Sequence, residues 1–247
     1  MSQPPRHTVI AFENEISDIR GLVAEMGSRA ELAVEQAMHA LAAADTALAA
    51  SVVAGDPLLD RLEREVEDRV VRCIALYTPV ADDLRDLIAA LKMSGVIERM
   101  GDYAKNIAKR VPELAAVPAL TGDDQLIRMG AMAGDMIRLV LEAFARRDVD
   151  LAYAVCRRDD DLDLIYRNVF VDYVAFLAKH PESAQEIAHL LFVSKNLERI
   201  GDHATTCAEM VYYQATGEKM TGERPDQVGP VDGSGGLDGE PGKTAAG

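Results

Sequence analysis

Cysteine is scarce in this chain: Cys73, Cys156 and Cys207 are the only three in 247 residues, and none is spaced as CxxC or beside a histidine. That excludes a disulfide framework and a cysteine zinc site, and the three read as reduced core residues of a cytosolic protein. Long apolar runs are missing too, since none approaches the roughly 18 residues a membrane span needs. The start, Met1-Ser2-Gln3-Pro4-Pro5-Arg6, lacks the apolar core of a signal peptide. Catalytic signatures are equally absent: there is no GxSxG, no phosphate-cradling glycine loop and no HExxH, so no enzyme is expected. Positive charge is in deficit. Lys and Arg number 26 against 41 acids, a net charge of −15 that repels phosphate backbones and argues against direct nucleic-acid binding.

Proline is thin between Thr8 and Thr216, where only Pro57, Pro79, Pro112, Pro118 and Pro181 occur. Strand-like alternation is missing from the same span, which predicts an all-α fold. Six long helices are expected at about 8–43, 45–77, 81–111, 122–146, 148–179 and 182–216, joined by short connections that force neighbours antiparallel. Gly55-Asp56-Pro57 lies inside the second, so that helix either kinks there or is two helices. After Thr216 the composition changes, with 9 of the 18 glycines and three prolines in 217–247, which reads as a disordered tail.

What the chain does have is a repeat. Ile97-Glu98-Arg99-Met100-Gly101-Asp102-Tyr103-Ala104 recurs as Leu197-Glu198-Arg199-Ile200-Gly201-Asp202-His203-Ala204. At the same spacing of 100, Leu91 meets Leu191 and Ser94 meets Ser194; upstream, a spacing of 103 pairs Met26 with Met129, Asp45 with Asp148, Asp56 with Asp159 and Arg64 with Arg167. The second copy is therefore three residues shorter, most naturally in the connection near Pro79 and Pro181. The expected organisation is two tandem, sequence-related three-helix bundles in series, 8–115 and 119–216, with a flexible 1–7 and the tail 217–247 outside them.

Each copy carries two acid pairs four residues apart: Asp56/Asp60 and Glu98/Asp102, then Asp159/Asp163 and Glu198/Asp202. Four residues turn a helix through about 400°, so each pair shares a face. Like charges at that spacing destabilise an isolated helix by a few tenths of a kcal/mol, roughly, and something must offset them. Either nearby arginines do so (Arg61, Arg99, Arg157, Arg199) or a bound cation does, four carboxylates from two helices suiting Mg²⁺, Mn²⁺ or iron. A plain alternative is a solvated face, because Ile97, Met100, Ala104, Ile107 and Val111 form an apolar stripe opposite Glu98 and Asp102. Against it, Leu84, Ile88, Leu91 and Gly95 form a second stripe on the carboxylate side. Gly101 and Gly201, each costing about 0.5–1 kcal/mol relative to alanine in mid-helix, imply the close approach of a helix or ligand. Glu186-Ile187-Ala188-His189 is an ExxH of the ferritin-like type, but the repeat places Asp86 and Ala89 opposite its ends and no second ExxH exists. Glu35 and His39 are four apart, a different spacing, and His203 faces the repeat position of Tyr103.

The segment Leu191-Phe192-Val193-Ser194-Lys195-Asn196-Leu197-Glu198-Arg199-Ile200-Gly201-Asp202-His203-Ala204-Thr205 resembles the signature of the PhoU family, phosphate-signalling regulators of bacteria. So does the first copy, from Pro79-Val80-Ala81-Asp82-Asp83-Leu84-Arg85 through Glu98 and Asp102 to Asn106-Ile107-Ala108. The resemblance spans about 8–216 and implies two PhoU-like three-helix bundles whose acid motifs carry metal clusters in some members. Carried over, the metal ligands would be Asp56, Asp60, Glu98 and Asp102 in one half and Asp159, Asp163, Glu198 and Asp202 in the other. Iron, manganese, magnesium or zinc would be the metal. Pro57 directly after Asp56 departs from the family motif, and Asp159-Asp160-Asp161 offers three adjacent acids. The implied function is an adaptor between the ATPase subunit of a high-affinity phosphate ABC transporter and a phosphate-sensing histidine kinase, restraining both when phosphate is plentiful. A cytoplasmic homodimer that meets the membrane only through its partners is expected. A metal-dependent di-iron-type enzyme and a purely structural helical scaffold are the alternatives.

Overall fold

A computed structural model describes residues 6–115 and 124–221, with side chains from residue 10 onward. The chain runs α1 (Arg6–Ala43), α2 (Thr46–Gly55), α3 (Pro57–Tyr77), α4 (Ala81–Ala108), a single turn α5 (Val111–Leu114), α6 (Asp124–Arg146), α7 (Val149–Leu177), a 3₁₀ turn (Pro181–Ser183) and α8 (Ala184–Thr216). Among the described residues there is no strand. Among the described residues no helix is long and apolar enough to cross a membrane. α1 begins at Arg6, inside the 1–7 segment expected to be flexible; residues 1–5, the 116–123 connection and the tail beyond 221 lie outside the described residues.

Proline accounts for two departures from the expected boundaries. The helix expected over 45–77 is two, because Pro57 has no amide hydrogen to bond back into the preceding turn and instead takes the first position of α3. Asp56 stands between them with helical backbone angles, its carbonyl accepting from the Leu59 amide at 2.9 Å and its side chain capping neither helix. The helix expected over 81–111 stops at Ala108, and Pro112 sits in the first turn of the separate α5.

The duplication is visible in the connections. α1 ends at Ala44 with φ 53°, and α6 ends at its counterpart Arg147 with φ 52°. A left-handed residue other than glycine costs about 1–2 kcal/mol, offset here by capping bonds. The Asp45 amide returns to the Ala40 carbonyl and the Asp148 amide to that of Ala143, each at 2.9 Å. The same two aspartates then cap the next helices: Asp45 Oδ1 accepts from the Leu48 amide at 2.9 Å, and Asp148 Oδ1 from those of Asp150 and Leu151.

The bundles do not sit in series. α1, α3 and α4 pack together, as do α6, α7 and α8, but α4 also packs along α8 and α1 along α6, so one continuous core runs through both halves. α4 and α8 serve both contacts through long buried faces: Leu87, Ala90, Met93, Ile97 and Met100 are buried in one, and Leu190, Val193, Leu197 and Ile200 in the other. Buried Ser94 and Ser194 satisfy their hydroxyls on the Leu91 and Leu191 carbonyls at 2.8 and 2.9 Å. One polar knot also ties the halves. Asp86 on α4, only 2% exposed, receives Arg20 from α1, Arg147 from the α6–α7 turn, and the Gln214 amide of α8 at 3.0 Å.

Candidate metal centres in the two halves

In the first half, α4 presents Glu98 and Asp102 toward the start of α3, which carries Asp60 one turn beyond Asp56. All four carboxylates are half-buried, so the solvated-face alternative does not describe them. What brings α3 so close is Gly101: a Cβ there would collide with the Leu59 side chain. Burial pushes the Glu98 carboxyl up to about 7, helped by the charges of Asp102, Glu63, Asp60 and Asp56. Glu63 was not singled out in the sequence, although it lies three residues after Asp60 on the same helix face. Its own carboxyl is raised by burial and by Glu67 and Asp60. The cation bonded between Asp56 and Asp102 is Lys105, whose Nζ is 2.7 Å from Asp56 Oδ2 and also bonds Asp102 Oδ1. Burial disfavours the charged amine, but its hydrogen bonds to Asp102 and Asp56 outweigh that and raise its pKa.

In the second half, α7 runs unbroken through Asp159 and Asp163 and faces Glu198 and Asp202 on α8. Gly201 plays the part of Gly101, since an added Cβ would lie 2.5 Å from Leu162 and 2.6 Å from Asp159 Oδ1. Asp159 Oδ1 is buried without a hydrogen-bond partner. Burial pushes this carboxyl up to about 6; the Thr205 hydroxyl works against the shift, and the charges of Asp202, Asp163 and Asp160 add to it. Glu198 turns to Lys195, leaving its Oε2 buried and unpartnered, while Lys195 lies 5.3 Å over the Tyr166 ring. Asp163 is 3.8 Å from Arg167, and Asp202 is exposed.

Among the described residues, the charged groups paired with the eight acids are thus Lys105, Lys195 and Arg167. Of the four arginines expected from the sequence, Arg99 does act on the acid cluster, its charge and that of Arg64 working against the rise of Glu63, and the others lie elsewhere. Arg61 and Arg157 are exposed, and Arg199 lies 5.8 Å from the Tyr103 ring centre, across the boundary between halves. Arg99 also acts on His203. His203 does not join the acids either; it meets Tyr103 edge-on at 5.2 Å, and its Nδ1 faces the Arg199 carbonyl without a well-formed bond. In the ExxH, His189 Nδ1 is 3.4 Å from the Arg110 guanidinium, and Glu186 Oε2 is buried without a partner. A guanidinium beside the imidazole repels a metal ion.

Fit to a cation differs between the halves. The first fills its carboxylate cleft with an ammonium group; the second leaves buried acceptor oxygens on Asp159 and Glu198 unfilled. Among the described residues no three acids, histidines or cysteines are already gathered to the spacing of a metal site. Holding an ion would therefore require carboxylate rotation.

The chain matches the PhoU domain twice, over residues 23–111 and 126–211. It is 45% identical over 214 residues to the "Phosphate-specific transport system accessory protein PhoU homolog" of Zymomonas mobilis, covering 87% of this chain and 90% of that one. To the protein of the same description from Caulobacter vibrioides it is 41% identical, covering 89% and 96%. Its fold superposes on the crystal structure of PhoU from Pseudomonas aeruginosa with a TM-score of 0.78 at 31% identity, covering 84% of this chain and all of that one. The phosphate transport system regulatory protein PhoU from Streptococcus pneumoniae gives 0.79 at 26% identity, over 85% and 99%. Duplicated acid motifs, duplicated helix turns and these matches over nearly the whole described fold lead to one conclusion: the chain belongs to the PhoU family.

Proposed function

We propose that the protein regulates phosphate uptake as an adaptor. It docks on the ATPase subunit of a high-affinity phosphate ABC transporter and on a phosphate-sensing histidine kinase, and restrains transport and the starvation response when phosphate is plentiful. The observation that carries a docking role is the outer face of α7. Leu164 (53% exposed), Phe170, Val171 (63%) and Val174 form an apolar strip open to solvent. The repeat supplies an internal control, since the equivalent positions on α3 are Arg61, Glu67, Asp68 and Val71, all exposed. The scaffold folds with charge at three of those four places, so the strip on α7 answers to a partner and not to the fold.

Asp159, Asp163, Glu198 and Asp202 would hold a hard divalent cation or iron, which when bound would neutralise carboxylate charge and tie α7 to α8. The relatives' names, an accessory protein of phosphate transport, support the pathway. A cytoplasmic homodimer acting without turnover completes the reading. The test is capture of the purified chain by the transporter ATPase subunit. Leu164→Glu with Val171→Glu is expected to lower capture at least tenfold with helicity unchanged, whereas Val71→Glu leaves it intact. Undiminished capture by the α7 double variant would sink the docking assignment. A loss of dimer in light scattering would mean that a second copy covers the strip.

A further inference from the structure

We infer that Lys105 is a built-in cation: in the first half its ammonium group takes the place a metal ion would take, so that this half closes without metal. The inference rests, for what it says of the second half, on the metal reading above.

Position is the first support. Lys105 Nζ bridges Asp56 at the head of α3 and Asp102 on α4, joining two helices through carboxylates as an ion would. Its side chain is 20% exposed, so this is no loose surface pair. The broken helix is the second support. Because Pro57 starts α3, Asp56 lies in the gap and makes no side-chain cap bond, leaving its carboxylate for the lysine. In the second half α7 is continuous and Asp159 has no such gap.

The repeat gives the third. Lys105 corresponds to Thr205, whose hydroxyl donates to the Gly201 carbonyl at 3.2 Å and carries no charge. Conversely Lys195 corresponds to Gly95, and it serves Glu198 and not Asp159. Each half owns one lysine at its acids, and only the first joins carboxylates of two helices, since Lys195 pairs with Glu198 on its own helix and meets α7 through the Tyr166 ring. Removing the ammonium leaves Asp56, Asp60, Glu63, Glu98 and Asp102 clustered without that counter-charge, and an oxygen-rich cleft of this kind takes a hard cation.

The experiment compares the full-length wild type with K105T, which copies the second half, and K105M, which keeps the apolar stem. Each is melted in EDTA and in Mn²⁺, and bound Mn²⁺ is counted by equilibrium dialysis. In EDTA both variants are expected to melt about 3–6 °C below wild type. Mn²⁺ should restore K105T and add a binding site that D102N abolishes, while D102N leaves wild-type Mn²⁺ binding unchanged. The reverse exchange, T205K, should lower the Mn²⁺ response of the second half at least tenfold in affinity. The inference is overturned if K105T and K105M melt as wild type does. It is equally overturned if Mn²⁺ fails to restore K105T, which would leave Lys105 an ordinary ion pair, or if D102N removes wild-type Mn²⁺. A wild type indifferent to Mn²⁺ defeats the metal reading of the second half alone, and Lys105 is then judged by the K105T melts.

Discussion

The two halves share eight acids and two glycines in register, yet neutralise those acids differently. In the first, a lysine on the acids' own helix reaches across to Asp56. In the second, the corresponding residue is Thr205, the local lysine is drawn to Glu198, and Asp159 keeps a buried oxygen without a partner. A shared motif therefore fixes where carboxylates stand without fixing their counter-charge. That depends on neighbours three or four residues away, which duplication leaves free to diverge.

The largest effect that separates the halves lies away from the acid sites. Asp86 and Glu186 are equivalent, but Asp86 is buried under two arginines from different elements, whereas Glu186 is only part-buried. Asp86→Asn strips the charge that Arg20 and Arg147 share and is expected to cost about 1.5–3 kcal/mol, the range for hydrogen bonds to a charged group, because the two guanidiniums left behind are partly exposed. Glu186→Gln is expected to cost less than about 1 kcal/mol, as most part-buried polar changes do. Urea melts of both variants decide it. Equal losses would mean that the knot does not distinguish the halves.

Such differences show how far the sequence could be read. Helix identity, the doubled turn at Ala44 and Arg147, and the close approach at Gly101 and Gly201 follow from local patterns, because proline, capping aspartates and mid-helix glycine act on their own neighbourhoods. Side-by-side packing was not legible, since periodicity tells which face of α4 is apolar and not which helix covers it. Lys105 at three residues from Asp102 and Glu63 at three from Asp60 were visible as spacings. Their roles needed α3 and α4 placed together. The Asp86 knot had no local signal at all, because its partners come from positions 20, 147 and 214.

A middle-sized effect should appear in the pH dependence. Glu98 is raised to about 7 in the folded chain by burial and then by its acidic neighbours, against an unfolded value near 4.3, roughly. Between those values the unfolded chain has already lost the proton that the folded chain keeps, so ionisation favours unfolding and stability falls as pH rises through this window. Asp159 acts in the same direction over a lower window ending at about 6. In EDTA, urea midpoints of wild type are expected to drop from pH 5 to pH 7.5, and Glu98→Gln should flatten that drop up to about pH 7. An identical slope in the variant would remove Glu98 as the source and leave the comparison resting on Lys105 alone.

The smallest effect concerns the place where the repeat swaps one ring for another. Tyr103 and His203 meet edge-on between α4 and α8, with Arg99, Arg199 and Asp202 around the imidazole. Burial lowers the His203 pKa below its ordinary 6.5, and the Arg99 and Arg199 charges add to this against the facing Arg199 carbonyl and the charge of Asp202. The unfolded chain then takes up a proton that the folded chain resists, so stability is lost as pH falls through 6.5, opposite in sign to Glu98. His203→Tyr copies the first half, keeps an aromatic pair worth about 0.5–1.5 kcal/mol, and removes the titrating group. The variant is expected to lie within about 1 kcal/mol of wild type at pH 7.5. It should gain relative to wild type at pH 5 in the same urea series. A relative loss at pH 5 would show that the imidazolium is welcome between the helices and that the acids, not the arginines, dominate the field at the junction of the two halves.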